Sequence, residues 1–190
     1  MVNFAEILMC TPHREARHNV LWRLSGPVSA IPQRNSHRHT EPVSGGLSIQ
    51  IDIDPDDGTV NGWLVDDDDE MVEDSYAEVR TMSATQLQRL FLDDYCIDIP
   101  VQALGDPEDR VGFVTGVELP DELRGSGLGK RLVDAVFSKC ISSLSAQRMF
   151  LVSVHGSVGF WEKMGFSEVE WPGFYSVVMP LMVKGGEVTT

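Results

Sequence analysis

Residues 111–144 read VGFVTGVELPDELRGSGLGKRLVDAVFSKCISSL. The opening residues, 111–119, are rich in Val and Gly, as a buried strand is. From Leu128 the apolar positions 128, 132, 133, 136, 137, 140, 141 and 144 recur at helical spacing, a stripe of about four turns. Between strand and helix stands Arg124-Gly125-Ser126-Gly127-Leu128-Gly129-Lys130. The first amides of a helix lack acceptors and carry positive partial charge, and glycines let a phosphate approach that backbone. The stretch therefore reads as an anion cradle. A plain strand–helix connection uses the same residues, so the loop alone names no ligand.

Two familiar phosphate loops do not fit. A Walker A loop needs G-x-x-x-x-G-K-[ST], but Arg124 takes the first Gly position and Arg131 the Ser/Thr position. The dinucleotide pattern G-x-G-x-x-G, begun at Gly125, ends on Lys130, and no suitably placed acid closes the unit.

Downstream, residues 148–154 (RMFLVSV) read as a strand. Residues 157–164 (SVGFWEKM) read as a short helix closed by Gly165, a good residue just past a helix end. Residues 166–171 and 174–183 read as two strands broken at Pro172-Gly173. The order β-α-β-α-β-β implies an α/β domain. Upstream, residues 47–53 (LSIQIDI) alternate apolar and polar, Asp54 to Gly58 make a turn, and residues 59–65 (TVNGWLV) resume. The pair is a hairpin. Residues 76–82 form a third strand, and Ser83 is the N-cap of a helix over 84–95 with Leu87, Leu90, Phe91 and Tyr95 on one face. Residues 4–9 suit a short helix, and 17–24 suit helix or strand. Residues 25–46 are crowded with GP, IP, EP and GG, which implies a long loop. The expected organisation is an N-terminal segment, 1–46, before a domain spanning 47–190.

Charge is partitioned along the 190 residues, which carry a net −14. Residues 1–40 hold five Arg and two Glu, residues 41–110 hold 19 acids and three Arg, and residues 111–190 hold seven bases and eight acids. The acid excess argues against nucleic acid and anionic lipid as partners. It sits in the middle third and leaves the cradle region near neutral. Three widely spaced Cys (Cys10, Cys96 and Cys140) with no CxxC exclude a disulfide scaffold or zinc knuckle. No apolar run reaches membrane-spanning length, and the N-terminus lacks a secretory pattern, so the cytoplasm is expected. Asp52, Asp54, Asp56, Asp57 and Gly58 suggest a calcium loop, but the Gly comes one position late and Trp63 replaces the closing Glu. No metal site is expected there.

A third loop pattern, [QR]-x-x-G-x-[GA], is filled by Arg124, Gly127 and Gly129. A second motif, Phe160-Trp161-Glu162-Lys163-Met164-Gly165-Phe166, begins 36 residues after Arg124. In this order, with a helix and strand between, the motifs resemble the GNAT superfamily of acyl-CoA-dependent N-acyltransferases. The resemblance covers roughly 110–183. It implies a single domain with a mixed central sheet, splayed at the cofactor site and flanked by helices. It implies acetyl-CoA as cosubstrate and an amine as acceptor, small molecule or peptide, in a monomer or homodimer. Carried over, Val117 and Leu119 pair their backbone with pantetheine. The amides of Gly125, Ser126, Gly127, Leu128, Gly129 and Lys130 take the pyrophosphate, with Arg124 opening the motif. Ser157 and Trp161 face the cofactor's tail.

Amide formation from a thioester needs an acceptor for the amine proton and donors for the developing oxyanion, and the departing thiolate gains from a proton donor. In the family a Tyr on the short helix often supplies the last. Trp161 stands there, and an indole N–H is not an acid. Tyr175, Ser157 or a water could replace it, or the thiolate could leave unprotonated. Glu118 is a candidate base, directly or through water, or else a solvated strand-end carboxylate. It should point away from Val117 and Leu119. His155 is a second candidate base or a plain turn residue. One residue more than usual separates Pro120 from Arg124, so the turn before the cradle should bulge. A catalytically silent CoA-binding or interaction module with the same fold is the competing reading.

Overall fold

A computed structural model describes residues 37–43, 45–95, 98–154, 156–169 and 180–185. The readings placed on 4–9, 17–24, Cys10, Cys96, His155 and Tyr175 lie outside them. The strands are β1 (His37–Pro42), β2 (Ser48–Asp54), β3 (Thr59–Val65), β4 (Met71–Ser83), β5 (Arg110–Glu118), β6 (Arg148–Val152), β7 (Ser167–Glu168) and β8 (Leu181–Lys184). The helices are α1 (Ala84–Tyr95), α2 (Val101–Leu104), α3 (Leu128–Leu144) and α4 (Val158–Lys163), with a 3-10 turn at Asp121–Leu123. Among the described residues the strands form one eight-stranded sheet in the order β1-β2-β3-β4-β5-β6-β8-β7. All neighbours are antiparallel except β5 and β6, which run parallel across the α3 crossover. The fold is α/β, with helices on both faces of a mixed sheet.

Alternation along the strands assigns each face. Ile49, Ile51, Ile53, Val60, Leu64, Ala77 and Val79 share one core with Leu132, Val133, Val136 and Cys140 of α3. Gly62 makes the close approach possible: a Cβ there would lie 2.5 Å from Val136 Cγ2. On the other face Leu87 and Phe91 of α1 and Leu104 of α2 pack with Val111, Phe113, Phe150, Leu181 and Val183. The α1 N-terminus carries a full capping box. The Gln86 amide donates to Ser83 Oγ at 3.2 Å, and the Ser83 amide to Gln86 Oε1 at 2.9 Å.

Two sequence expectations need correction. Residues 37–42 form strand β1, where a loop was expected. Every β1 side chain is exposed, so no apolar alternation marks an edge strand held by backbone pairing to β2. Ile141 belongs to the apolar stripe on spacing, yet is 57% exposed. At about 100° per residue it falls outside the arc running from Ala135 through Val136 to Phe137. The short helix α2 was not anticipated. The acid run 66–70 is the β3–β4 turn, in which Asp66 Oδ1 accepts the amides of Asp68 and Glu70 at 2.9 Å. The suspected calcium loop is the β2–β3 turn, in which Asp54 Oδ1 accepts the amides of Asp56 and Asp57.

Candidate functional site

Strands β5 and β6 pair only at Val111–Phe113 against Arg148–Phe150. Beyond Phe113, β5 continues to Glu118 with its partner β4, and β6 continues to Val152 with its partner β8. A register shift at Glu78/Val79 leaves Thr115 as the extra residue on β5, so the strand bulges where its pairing with β6 stops. The sheet therefore splays between the second half of β5 and the end of β6. Val117 and Leu119 stand at the β5 side of this gap, partly buried against the α3-side core.

The cradle stands at the end of the same strand. The extra residue between Pro120 and Arg124 is taken up by the 3-10 turn Asp121–Leu123. Gly125 (φ 77°) and Gly127 (φ 84°) are left-handed, and Gly127 is the N-cap of α3 without a side-chain cap. The turn needs glycine for that backbone, and a Cβ at either position would meet nothing within 4 Å. Gly129 lies against Leu119, with its notional Cβ 3.6 Å from Leu119 Cδ2. Ser126 Oγ accepts the Leu128 amide at 3.3 Å and donates to the Leu123 carbonyl. The Ser126 amide reaches the Leu123 carbonyl, and the Arg131 amide reaches the Gly127 carbonyl. Among the described residues, the amides of Gly125, Gly127, Gly129 and Lys130 find no acceptor in the protein. They gather at the positive end of a 17-residue helix, in an exposed turn beside the splay.

The basic side chains at the loop have other partners. Arg124 Nε donates to the Leu119 carbonyl at 2.9 Å, and its guanidinium pairs with Asp121 at 2.6 Å. Lys130 pairs with Asp134 one turn on. Arg131 reaches the Pro42 carbonyl at 3.4 Å. An anion here would be met chiefly by backbone.

Ser157 stands at the N-cap position of α4 without a side-chain cap bond, and its hydroxyl lies 2.9 Å from Ser153 Oγ and donates to the Val154 carbonyl at 2.9 Å. Ser153, fully buried past the end of β6, was missed by the sequence reading. Trp161, the residue the resemblance sets toward the cofactor's tail, is 7% exposed. Its indole stacks edge-on with Phe160 at 4.9 Å and Phe166 at 5.3 Å, so it serves the aromatic core. Gly165 (φ 86°) follows the helix as expected.

Glu118 points away from Val117 and Leu119, as alternation requires, and pairs across strands with Tyr76. Tyr76 is the other residue the sequence reading missed. Its ring lies over Gly116, whose notional Cβ would be 3.0 Å from the Tyr76 hydroxyl. Only the β4–β5 register places it there. Among the described residues, no group of three or more His, Cys, Asp or Glu side chains could hold a metal ion, and no helix is long and apolar enough to cross a membrane.

Residues 84–166 match the model of the acetyltransferase (GNAT) family. No curated protein matches the chain by sequence. Several solved structures are similar. One is Arabidopsis thaliana NAA60 in complex with a bisubstrate analogue, at 15% identity and TM-score 0.46, covering 66% of this chain and 73% of that one. Escherichia coli ElaA is 14% identical with TM-score 0.44, covering 66% of this chain and 68% of its own. The Bacillus subtilis N-acetyltransferase YlbP in complex with coenzyme A is 14% identical with TM-score 0.44, covering 66% of this chain and 67% of its own. Both sequence motifs, the cradle and the segment from Phe160 to Phe166, fall inside this matched stretch of residues 84–166, which is similar to the GNAT acetyltransferase family.

Proposed function

We propose that this protein is an N-acetyltransferase that moves an acetyl group from acetyl-CoA to an amine within a ternary complex. The supporting observation is the set of unpartnered amides at Gly125, Gly127, Gly129 and Lys130, set beside the β5–β6 splay. The amides are suited to the pyrophosphate, and the free edge of β5 through Val117 and Leu119 to pantetheine. Ser157 stands near the opposite lip. The cosubstrate supplies an activated acyl group. The amine nitrogen bonds to the acyl carbon, the C–S bond breaks with its electrons on sulfur, and the amine proton passes to a base. Glu118 takes that role, directly or through water, and Tyr76 stands beside it on the same face. His155 and Tyr175 remain further proposals for proton transfer. The acid excess over 41–110 favours a cationic acceptor. In this reading the protein acts in the cytoplasm as a monomer or homodimer, without nucleic acid or membrane.

Calorimetry with CoA and thiol release from acetyl-CoA across a panel of amines test the proposal. Binding with turnover on at least one amine is expected. No heat with CoA would overturn it. A second reading draws on Trp161, which stands buried where the usual proton donor would be. A silent CoA-binding module would bind CoA and turn over no amine in the panel.

A further inference from the structure

The sheet face opposite α3 holds a carboxylate without a partner. Asp52 on β2 is 7% exposed, and its Oδ1 is buried with no hydrogen-bond partner. Neighbouring Ile51 and Ile53 face α3, so Asp52 faces away from it. An unpaired buried carboxylate is costly, and the cost falls when a cation meets it. Arg38 stands opposite it on β1 yet makes no ion pair with it, and Glu78, further along the same row, is paired to Arg80 at 3.2 Å.

The register links Asp52 to the splay. One cross-strand row runs Asp52–Asn61–Glu78–Gly116, and the adjacent row runs Gln50–Trp63–Tyr76–Glu118. Both reach β5 beyond the point where it has left β6. Trp63 is held by its indole N–H, which donates to Gln50 Oε1 at 3.0 Å. Two aromatic rings thus lie between Glu118 and Asp52. Three strand steps separate β5 from β2, about 14 Å at the usual strand spacing. A lysine-length amine cannot span that distance, whereas a linear polyamine can. Aromatic faces suit its methylenes and charged nitrogens.

We propose that this face binds the acceptor and that the acceptor is a linear polyamine, with one amine at the splay beside Glu118 and a remote ammonium on Asp52. The proposal rests on the acetyltransferase reading for the fate of the near amine, but the binding itself does not. Calorimetry with spermine and with 1-aminobutane, on the wild-type protein and on Asp52→Asn, with and without CoA, is the test. Spermine should bind the wild type at least about tenfold tighter than 1-aminobutane, and Asp52→Asn should remove most of that difference without lowering the melting temperature. Equal spermine affinity in wild type and Asp52→Asn overturns the proposal. Should Asp52→Asn not fold, the wild type decides: affinity must rise from 1,3-diaminopropane to spermine, and a flat series overturns it. Spermine binding that depends on Asp52 without any acetyl transfer would sink the acetyltransferase reading and leave this site standing.

Discussion

Gly62→Ala probes how the sheet seats the helix that carries the cradle. The added Cβ would lie 2.5 Å from Val136 Cγ2 and 3.2 Å from Leu132 Cδ1. Carbon atoms in good contact stand about 3.5–4.0 Å apart, so the first overlap is about 1 Å. Val136 has little freedom to turn aside, because a helical Val occupies one χ1 well about nine times in ten. The strain therefore passes to α3. Overpacking of this kind costs about 1–3 kcal/mol, offset by about 0.4–1 kcal/mol of unfolded-state entropy. For a chain of this size each kcal/mol moves the melting temperature by about 2–4 °C. Leu132 and Val136 lie one and two turns from the cradle, so CoA affinity should fall with stability. Val136→Ala removes the clashing methyl at a cost of its own of about 2 kcal/mol. The double variant should be more stable than the sum of the single losses by about 1 kcal/mol or more. Denaturant melts of the four proteins measure this coupling, and strictly additive losses would refute it.

Gly127→Ala meets no atom, so only left-handed strain of about 1–2 kcal/mol applies; the melting temperature should move by a few degrees while CoA affinity in calorimetry drops. Ser83→Ala removes the α1 N-cap and should cost about 1 kcal/mol in denaturant melts. Ile141→Lys, on the exposed side of α3, should change stability by no more than about 0.5 kcal/mol. Burial pushes the Cys140 thiol up from 9.0 to about 12, so it should resist thiol reagents until the protein unfolds. The unfolded thiol loses its proton first, so unfolding releases a proton above pH 9 and stability falls as pH rises toward 12. Tyr95, raised by burial and by Asp94, adds to the fall in the same direction. Melts from pH 8 upward would show the decline in the wild type and less of it in Cys140→Ala.

The parts of the fold legible in the sequence are those where burial imposes a period. The stripe on α3 and the alternation of β2 and β3 come from one-sided packing, and the glycine turn comes from backbone geometry that only glycine adopts easily. Strand β1 was hidden because its side chains all face solvent, so its only signal is backbone pairing. Ile141 misled because spacing defines a face without its limits. The chemistry was less legible than the cradle. The glycine turn whose free amides are proposed to meet an anion is written locally in Gly125 to Lys130. Tyr76, Asp52 and Ser153 acquire a setting only through registers between distant strands, and a bulge at Thr115 that no residue announces re-aims the strand that carries Glu118. Trp161 is buried in an aromatic cluster with Phe160 and Phe166, a setting that the motif match alone does not describe.

A crystal structure of the protein with CoA tests the central claim most directly. The account requires the pyrophosphate oxygens at about 2.9 Å from amides among Gly125, Gly127, Gly129 and Lys130, with pantetheine along β5 between Val114 and Leu119. Pyrophosphate bound away from these amides, pantetheine outside the β5–β6 splay, or no CoA bound at saturating concentration would contradict it.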